Sequence, residues 1–570
     1  MSRNRIATAL ALLACLACSS KGLRAQSPAT IPAQQAAPPS RAGTGIIAGV
    51  VLNTKTLSPV PEAVLTLTRT KDRSPVGESI TDSQGRFSFP NLADGKYSLN
   101  AAHRGYIASA FEAHGGVSTA IVTSESLDTS NLRFLLPPQA VIFGTVTDDS
   151  GDPAAGAQVA LFLQDNRFGT GKIRRSGQTT TDELGNYEFA HLAPGSYYLA
   201  VTAKPWYATI RQPQQDAQGN PANPNSRSPL DVAFPTTYYP DATDSLSAVP
   251  IPIAAGDRVP IQVILHPVPA VHISIHLPND GANHPITSPQ LHQDIFGFSD
   301  FIQSTVSFSG QDDSAGVHAL TTAEITGIAP GQFTVEIPGA NGEANRTISI
   351  DAQTDRQNLD ISAAASLAEI SGKVTMADSG PLPSSLTILL RPQDGESRND
   401  RVQGDRVGAD AAFHFHNMPP GSYQVELSAR WPMTITKLTA KGATVHGHTL
   451  TVGSEPVTLN AVIAQNTSSV SGFATLNGKA ASGVFVLLAP LDPEAGRESW
   501  RANQSDSDGS FDYPQAAPGE YVLVAIEEGW TLDWASRDAI APYLARGLKE
   551  VVPPHSGDIH LEDPVEVQPK

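Results

Sequence analysis

Four histidines in one stretch of the chain have the residue type and the spacing of a metal site. His414 and His416 alternate with two phenylalanines, so both imidazoles lie on one face of a predicted strand. His446 and His448 form a second pair that shares a face. If the two strands were neighbours, four ring nitrogens would converge on zinc or copper. Histidines on a solvated strand face give the same pattern, and we favour that interpretation.

Aromatic side chains offer a second chemistry, because an exposed ring can stack on the apolar face of a pyranose. Four rings share one position, 10 or 11 residues after a turn glycine: Tyr106, Trp206, Trp431 and Trp530. A shared position predicts that these four pack at the end of a strand. Four other rings lie outside that position and are predicted to form an exposed carbohydrate-binding platform: Tyr238, Tyr239, Trp500 and Trp534.

Asp506 and Asp508 have the spacing of a small calcium loop, since hard cations bind several carboxylate oxygens. However, Asp506 aligns with Asp82 and Asp182 in two similar stretches, where no second aspartate follows two residues later. An aspartate at such a position accepts hydrogen bonds from backbone amides and forms a tight turn. The turn explains the pattern better than a cation does, and no cofactor is predicted.

Motifs of the common hydrolases are absent from the sequence. It has no His-x-x-Glu pair for a catalytic zinc, no Gly-x-Ser-x-Gly elbow and no Gly-x-x-x-x-Gly-Lys-Ser/Thr phosphate loop. A hydrolase with two carboxylates assembled in space stays open as an alternative, because such pairs need no fixed spacing in sequence. The prominent aspartates fall in predicted turns, so we predict no catalytic residue and no enzymatic activity.

The composition is that of a turn-rich globular chain with a negative charge. Among 570 residues there are 46 glycines and 45 prolines, and 40% of the residues are hydrophobic. The 38 Lys and Arg residues against 56 Asp and Glu give a net charge of -18. Because clustered cations are needed to bind a phosphate backbone, nucleic acid is not expected as a partner. The length predicts roughly three to six domains.

The first 25 residues have the pattern of a secretory signal peptide, with two arginines before an apolar run at 6–16. We predict a signal peptide over 1–25 and a Pro/Ala/Gln-rich linker over 26–44. The protein is then secreted, periplasmic or part of the outer envelope. Lipoprotein anchoring through Cys15 or Cys18 is an alternative that we do not favour. No later apolar stretch reaches the roughly 20 residues of a transmembrane helix.

A block of about one hundred residues recurs along the chain. Its clearest copies combine an Asp-x-x-Gly turn, two aromatic residues at alternate positions, and a second turn followed by tyrosine. The aromatic pairs are Phe87/Phe89, Tyr187/Phe189, Phe413/Phe415 and Phe511/Tyr513. A weaker copy keeps only Pro330-Gly331 and Phe333. Alternation at period two places both rings of a pair on one side of a sheet, and closely spaced turns are typical of a β-sandwich.

The combined motifs resemble the carboxypeptidase regulatory-like domain family. The second copy shows them best: Ile142-Phe143-Gly144-Thr145-Val146, Thr181-Asp182 with Tyr187, and Pro194-Gly195 with Tyr197. The resemblance implies an immunoglobulin-like sandwich, similar to prealbumin and starch-binding domains, in a bacterial secreted or envelope protein. Sandwiches of this family are usually non-catalytic.

We therefore predict an all-β chain of about five tandem immunoglobulin-like β-sandwiches. Their predicted bounds are 45–138, 139–268 with a long loop at 211–241, 269–365, 366–465 and 466–570. Short connecting segments predict end-to-end contact of consecutive sandwiches, and a short helix is predicted over 538–546. The predicted function is a non-catalytic spacer and binding array for a glycan or another envelope component. The alternative is an accessory module for a separate peptidase or glycosidase.

Overall fold

The computed structural model describes most of the chain from residue 43 onward. The described residues are 43–124, 127–167, 169, 172–208, 228–276, 288–312, 318–337, 346–355, 357–360, 368–393, 402–466, 468–493, 495–496, 499–553 and 557–570. The predicted signal peptide, Cys15, Cys18, residues 26–42 of the predicted linker and residues 211–227 of the predicted long loop lie outside them. Within these ranges, no helix has the length and hydropathy needed to span a membrane.

Five β-sandwiches follow one another along the described chain, which confirms the predicted fold class. In each sandwich, sheet strands carry alternating buried and exposed side chains, as strands with one solvated face do. The buried side chains of each sandwich form a hydrophobic cluster of their own. We number the sandwiches 1 to 5 in chain order.

Sandwich 1 pairs a small sheet with a larger one. Its strands are β1 (Gly45–Asn53), β2 (Val64–Arg69), β3 (Pro75–Ile80), β4 (Arg86–Leu92), β5 (Gly95–Ala102), β6 (Ser109–Ala110), β7 (Ile121–Thr123) and β8 (Leu132–Leu136). The small sheet has the order β4-β1-β8, and the larger has the order β3-β2-β5-β6 with β7 also paired to β5. One edge of the larger sheet is therefore formed in part by the short strand β7.

Sandwich 2 repeats this plan. Its strands are β9 (Ala140–Asp148), β10 (Gln158–Asp165), β11 (Lys172–Thr180), β12 (Asn186–Leu192), β13 (Gly195–Thr202), β14 (Val232–Ala233), β15 (Thr237–Tyr238), β16 (Ile251–Ile253) and β17 (Arg258–Leu265). The sheets have the orders β12-β9-β17 and β11-β10-β13-β15, with β16 beside β13. A 3-10 turn at Ser245–Ser247 follows β15.

Sandwich 3 keeps the fold although it lacks the Asp-x-x-Gly turn. Its strands are β18 (Val268–Pro269), β19 (Val271–His276), β20 (Gln290–Ile295), β21 (Phe298–Phe301), β22 (Thr305–Asp312), β23 (His318–Ile328), β24 (Gly331–Ile337), β25 (Arg346–Ala352) and β26 (Gln357–Asp360). The sheets have the orders β22-β23-β19-β26 and β21-β20-β24-β25. Strand β18 pairs with β14 of sandwich 2, so the two sandwiches share a two-stranded ribbon.

Sandwich 4 has two sheets of similar size. Its strands are β27 (Ala368–Met376), β28 (Thr387–Pro392), β29 (Gln403–Arg406), β30 (Ala412–Met418), β31 (Gly421–Ser428), β32 (Met433–Lys441), β33 (Ala443–His446), β34 (Thr449–Val452) and β35 (Val457–Gln465). The sheets have the orders β30-β27-β35-β32 and β29-β28-β31-β34-β33.

Sandwich 5 differs because one strand joins its two layers. Its elements are β36 (Ser468–Leu476), β37 (Lys479–Ala480), β38 (Phe485–Pro490), β39 (Arg501–Gln504), β40 (Ser510–Ala516), β41 (Gly519–Ile526), a 3-10 turn at Gly529–Thr531, α1 (Arg537–Leu544), β42 (Leu548–Val552), β43 (Asp558–His560) and β44 (Val565–Gln568). Strand β44 pairs in parallel with both β36 and β41. The result is a continuous nine-stranded sheet.

The recurring motif builds the same local structure in sandwiches 1, 2, 4 and 5. All four aromatic pairs are buried in the cores. In each copy the tyrosine after the second turn donates its hydroxyl to the carbonyl oxygen four residues earlier: Tyr97 to Ala93, Tyr197 to Ala193, Tyr423 to Pro419 and Tyr521 to Ala517, over 2.6 to 2.9 Å. These bonds satisfy hydroxyls that would otherwise be buried without a partner.

The tail of sandwich 5 covers the outer face of its own sheet. The helix predicted at 538–546 is confirmed as α1, shifted by one or two residues. Ile540 of this helix and Trp534 before it pack against Phe485 and Val524. Strands β38 and β41 are consequently buried on both faces, which explains their nearly continuous runs of apolar residues. The tail thus contributes a third layer to sandwich 5.

Sandwiches 2 and 3 meet through a cluster of rings that we call the aromatic junction. It comprises Phe162, Tyr198 and Tyr238 of sandwich 2 and Phe296 and Phe298 of sandwich 3. The ring centroid of Phe296 lies 5.1 to 5.2 Å from those of the three sandwich 2 residues. The Arg175 guanidinium lies 5.1 Å from the ring centroid of Phe298 and forms an ion pair with Asp300. The junction is therefore apolar at its centre and charged at its rim.

Sandwich 5 also docks on sandwich 1, although three sandwiches lie between them in sequence. Lys96 Nζ lies 2.5 Å from Asp506 Oδ2, and the Ala120 amide donates to Asp506 Oδ1 over 3.1 Å. The Ser507 amide donates to the Ala120 carbonyl oxygen over 3.0 Å, and the Val122 amide donates to Ser507 Oγ over 2.8 Å. The turn of sandwich 5 thus hydrogen-bonds to the backbone around β7. Short connecting segments predict contact only between consecutive sandwiches, and this contact between sandwiches 1 and 5 was not predicted.

An amide side chain and a ring stack complete this contact. Gln504 Nε2 donates to the Glu112 carbonyl oxygen and to Thr119 Oγ1, each over 2.7 Å. The rings of His114 and Trp530 stack with centroids 3.8 Å apart and planes at 9°. We call this contact the clasp; it comprises Lys96, Glu112, His114, Thr119, Ala120 and Val122 of sandwich 1 and Gln504, Asp506, Ser507 and Trp530 of sandwich 5.

Candidate binding cleft between sandwiches 2 and 3

A cleft opens beside the aromatic junction. Its volume is about 760 Å³, within the range of small-ligand sites. Sandwich 2 contributes the end of β13, the segment around β15 and the 3-10 turn at Ser245–Ser247. Sandwich 3 contributes β20, the end of β21 with the next two residues, and the turn between β23 and β24. The walls thus belong to strand ends and turns on two rigid sandwiches, where binding residues commonly lie.

Amide side chains dominate the polar lining of the cleft. Five glutamines contribute to it: Gln158, Gln293, Gln303, Gln332 and Gln353. Each primary amide can donate two hydrogen bonds and accept two, without carrying a charge. Thr236 Oγ1 donates to Gln293 Oε1 over 2.6 Å, and this bond crosses from sandwich 2 to sandwich 3. The Gln293 amide is therefore held in position at the boundary of the two walls.

Two rings in the lining have complementary properties. Phe301 lines the cleft with 53% of its surface exposed, so it offers an apolar face to a ligand. Tyr238 also lines the cleft but is only 2% exposed, because its ring packs on Phe296. Among the residues that the structure describes, none hydrogen-bonds the Tyr238 hydroxyl. A donor in a nearly buried side chain, at the surface of a cleft and without a partner among the described residues, can be satisfied by a ligand.

The electrostatic environment of Tyr238 is negative. Burial is the main cause that raises the pKa of its hydroxyl above the usual range, and the carboxylates of Asp294, Asp244 and Asp300 raise it further. Asp244 and Asp294 line the cleft themselves. The raised pKa favours the neutral hydroxyl, which can donate a hydrogen bond to a ligand.

The four rings predicted as a carbohydrate platform have separate locations. Tyr238 belongs to the cleft, while its neighbour Tyr239 packs against the core of sandwich 2. Trp534 is 5% exposed beneath the tail of sandwich 5, and the partly buried Trp500 packs in the same cluster. The expectation of an exposed platform is wrong for Tyr238 and Trp534, because both are buried by neighbouring rings. The structure does not bring the four residues together.

The rings at the shared repeat position also differ from expectation. Trp206 is 83% exposed and Trp431 is 51% exposed, so the predicted packing at a strand end is wrong for both. Trp530 is partly buried, through the stack on His114 in the clasp. The partly buried Tyr106 accepts a hydrogen bond from Asn53 Nδ2 over 3.1 Å. A single repeat position is thus occupied by rings in very different environments.

The four histidines proposed as metal ligands lie on two different sheets of sandwich 4. His414 and His416 belong to β30 in one sheet, whereas His446 ends β33 and His448 precedes β34 in the other. The predicted metal site required neighbouring strands. These strands are not neighbours and the four ring nitrogens do not converge, so the prediction is wrong. No group of three or more histidine, cysteine or acidic ligands suited to a metal occurs in the described ranges.

The turn predicted at Asp506 is formed, but the Asp506 carboxylate does not accept the backbone amides of that turn as predicted. In the equivalent turns, Asp82 Oδ1 accepts the amides of Gln84 and Arg86 over 2.8 and 2.9 Å. The Asp506 amide donates to the Ser510 carbonyl oxygen over 2.7 Å, and the Asp506 carbonyl oxygen accepts the Gly509 amide over 2.8 Å. The Asp506 carboxylate binds sandwich 1. Asp508 Oδ1 accepts the Ser510 amide over 3.0 Å. Both carboxylates are thus engaged by protein groups.

Most of the cleft residues were missed by analysis of the sequence. Gln293, Phe301 and Gln332 lie in sandwich 3, whose repeat motif is the weakest of the five. The available signal was the group of three phenylalanines at 296–301 in a repeat that has lost its usual turn. These rings had no place in the repeat pattern, and two of them form the junction while the third lines the cleft.

Comparison with known families confirms the resemblance for part of the chain. The carboxypeptidase regulatory-like domain matches residues 46–125 and 141–226, which correspond to sandwich 1 and most of sandwich 2. A curated relative, Colossin-A of Dictyostelium discoideum, is 25% identical over 220 residues. The match covers 31% of this chain and 2% of that protein, so the chain spans a very small part of that relative.

Two solved structures are similar to the chain at low scores. A streptococcal ancillary pilin is 9% identical, with 55% of this chain and 98% of that chain covered and a TM-score of 0.18. Two B repeat units of the collagen-binding protein of Staphylococcus aureus are 10% identical, with 68% and 93% covered and a TM-score of 0.14. TM-scores this low do not support any inference about function.

Proposed function

We propose that the protein is a non-catalytic, extracytoplasmic array of β-sandwiches that binds carbohydrate in the cleft between sandwiches 2 and 3. The observation that carries the proposal is the lining itself, which combines five neutral amides with the exposed ring of Phe301. Amides match the hydroxyl groups of a sugar as donors and acceptors, and a ring matches its apolar face. The secretory pattern of residues 1–25 supports a location outside the cytoplasm.

The geometry of the two cleft carboxylates supports binding over hydrolysis. Asp244 Oδ1 accepts the Leu246 amide over 3.1 Å, and Asp294 Oδ1 accepts the Gly297 amide over 2.8 Å. Each carboxylate thus holds a turn of the cleft wall in place. The sequence also has none of the motifs of the common hydrolases, so the cleft is proposed to hold a carbohydrate without cleaving it.

A binding screen with the mature full chain tests this function. We expect selective binding on an array of neutral, amine-bearing and acidic oligosaccharides. Phe301→Ala removes the exposed ring and should weaken the best ligand about tenfold without lowering the melting temperature, since exposed substitutions rarely change stability. Tyr238→Phe removes only the hydroxyl and should weaken binding several-fold.

Tyr239→Phe is the matched control for the hydroxyl. It makes the same change at the adjacent residue, which packs on the core of sandwich 2 and does not line the cleft. Binding in this variant should equal that of the unmodified protein. If no oligosaccharide binds, or if Phe301→Ala and Tyr238→Phe both bind as tightly as the control, the cleft is not the carbohydrate site. Release of reducing sugar during the screen would contradict the non-catalytic assignment.

A further inference from the structure

Trp206 is the most exposed of the three tryptophans that share the repeat position 10 or 11 residues after a turn glycine. Its exposed fraction is 83%, against 51% for Trp431, and Trp530 is partly buried in the clasp. One ring thus occurs in three copies, in sandwiches 2, 4 and 5. The side chains that cover it in two copies indicate what fits the third.

In sandwiches 4 and 5, a planar nitrogen-bearing side chain lies on the indole. The Arg430 guanidinium carbon lies 5.3 Å from the ring centroid of Trp431. The imidazole of His114 stacks on Trp530 with ring centroids 3.8 Å apart. Arg430 directly precedes its tryptophan, whereas His114 belongs to another sandwich. A guanidinium suits a tryptophan face well, because it is planar, charged and weakly hydrated.

The residues before Trp206 do not provide such a side chain. Pro205 directly precedes it, and the Lys204 ammonium lies 3.4 Å from Thr305 Oγ1 of sandwich 3. The ring contact described for Trp206 is an edge contact with Tyr207, with centroids 5.7 Å apart and planes at 88°. An edge contact leaves most of the indole open to solvent, in agreement with its exposed fraction.

The surroundings of these two rings are negative. Burial is the main cause that raises the pKa of Tyr207, and the carboxylates of Asp148 and Asp149 raise it further. Asp149 is exposed, whereas Asp148 is buried and its Oδ1 accepts the amides of Ser150 and Asp152, each over 2.9 Å. The net charge of the whole chain, -18, has the same sign. A cationic partner is therefore attracted to this surface, and an anionic one is repelled.

We infer that Trp206 and Tyr207 form a docking site for an arginine side chain of a basic partner protein, with Asp149 beside the rings to favour the positive charge. The guanidinium lies on the exposed indole as that of Arg430 lies on Trp431. None of the three site residues lines the cleft between sandwiches 2 and 3. The site therefore adds protein binding to the proposed carbohydrate binding.

Matched peptides test the charge and the shape of this partner separately. The probes are three peptides of equal length that alternate serine with arginine, lysine or citrulline, titrated by calorimetry into the mature full chain. Citrulline has the planar shape of arginine without its charge, and lysine has the charge without the plane. We expect the arginine peptide to bind about fivefold more tightly than the lysine peptide, and the citrulline peptide to bind weakest.

Substitutions then locate the site. Trp206→Ala should weaken binding of the arginine peptide about fivefold and remove its advantage over the lysine peptide, with no change in melting temperature. Asp149→Asn should weaken binding about twofold. Trp431→Ala is the matched control, because it removes the ring at the same repeat position, where Arg430 already covers it. Binding in this control should equal that of the unmodified protein.

Two results would contradict the inference. One is the absence of binding by any of the three peptides. The other is equal binding of the arginine and lysine peptides, or a Trp206→Ala variant that binds like the Trp431→Ala control, since both indicate only a general attraction to a negative chain. Neither result bears on the proposed carbohydrate site, because Trp206 does not line the cleft.

Discussion

Two contacts between sandwiches are built in opposite ways. The aromatic junction joins consecutive sandwiches through packed rings, with Phe296 at its centre. The clasp joins sandwiches that are far apart in sequence through an ion pair, backbone hydrogen bonds and one ring stack. Apolar packing depends little on pH or salt, whereas a contact centred on Lys96 and Asp506 depends on both.

The difference also explains why only one of the contacts creates a site. Rings pack at one end of the boundary between sandwiches 2 and 3 and leave a polar cleft beside them. At the clasp, the polar groups of Gln504 and Asp506 are already satisfied by sandwich 1. A bound ligand would have to replace those partners. An apolar junction thus leaves polar groups of the cleft lining available, and a polar interface consumes them.

The largest expected effect comes from removing the centre of the aromatic junction. Phe296→Ala deletes a ring that is 8% exposed and contacts three others, so stability should fall by about 3 kcal/mol or more. Because the same ring supports Tyr238, carbohydrate binding should be lost as well. Hydrogen exchange of β10 and β20 measures the first effect and calorimetric titration the second.

Phe301→Ala is the natural comparison for that variant. It removes the same side chain from the exposed wall of the cleft, so binding should weaken while exchange in β10 and β20 stays unchanged. If Phe296→Ala retained full binding, the cleft would not depend on the junction, and the comparison drawn above would fail.

The clasp should respond almost as strongly to loss of its cation. Lys96→Met leaves Asp506, whose side chain is 10% exposed, without its ionic partner. Removing one partner of a buried ion pair costs about 3 to 5 kcal/mol, and we expect the lower end because the Lys96 side chain is 33% exposed. The peptide containing Ala120 and Val122 should then exchange its amide hydrogens much faster.

Lys55→Met provides a matched control. Lys55 pairs with Asp257 between sandwiches 1 and 2, but its side chain is 53% exposed, so the loss should stay below about 1 kcal/mol. Equal effects of the two substitutions would indicate that the clasp ion pair behaves as an ordinary surface pair.

The fold could be predicted from the sequence, because it depends on local patterns. Alternating aromatics such as Phe87 and Phe89 determine which face of a strand is buried, and the Asp82 turn requires only residues within the same turn. The clasp could not be predicted in this way. Asp82 and Asp506 occupy the same motif, yet only Asp506 meets a complementary surface on another sandwich.

The cleft could be predicted only in part, for a related reason. Tyr238 was among the candidate residues because it lay outside the repeat pattern. Its role in the cleft depends on Phe296 and Gln293 of the next sandwich, and nothing in the local sequence of either segment shows that they meet. Burial of Trp534 likewise follows from a tail that folds over its own sheet.

A smaller effect is expected when pH changes the charge of Asp506. Burial is the main cause that raises the pKa of this carboxyl above its ordinary value of 3.8, although Lys96 acts in the opposite direction. Because the Asp506 carboxyl has a higher pKa when it is docked, its protonation stabilises docking. This stabilisation is fully present below pH 3.8 and is lost as the pH rises through the raised pKa. Protection of the Ala120–Val122 peptide, corrected for intrinsic exchange, should therefore increase on acidification.

Asp506→Asn tests the assignment of this pH dependence. Its amide cannot titrate in this range, so protection of the same peptide should become independent of pH. A wild-type clasp that loosens in acid would show instead that the ion pair with Lys96 outweighs burial, and the predicted sign would be wrong.

The smallest effect separates rings that share one repeat position. Trp530→Ala removes the stack on His114 and should weaken the clasp by about 1 kcal/mol. Trp206→Ala removes an indole that is 83% exposed and should change stability by less than about 0.5 kcal/mol. Melting temperature and exchange of residues 112–122 measure both. A Trp206 effect as large as that of Trp530 would mean that the repeat position itself is structural. The expected difference would instead mean that the ring stabilises the chain only where another sandwich covers it.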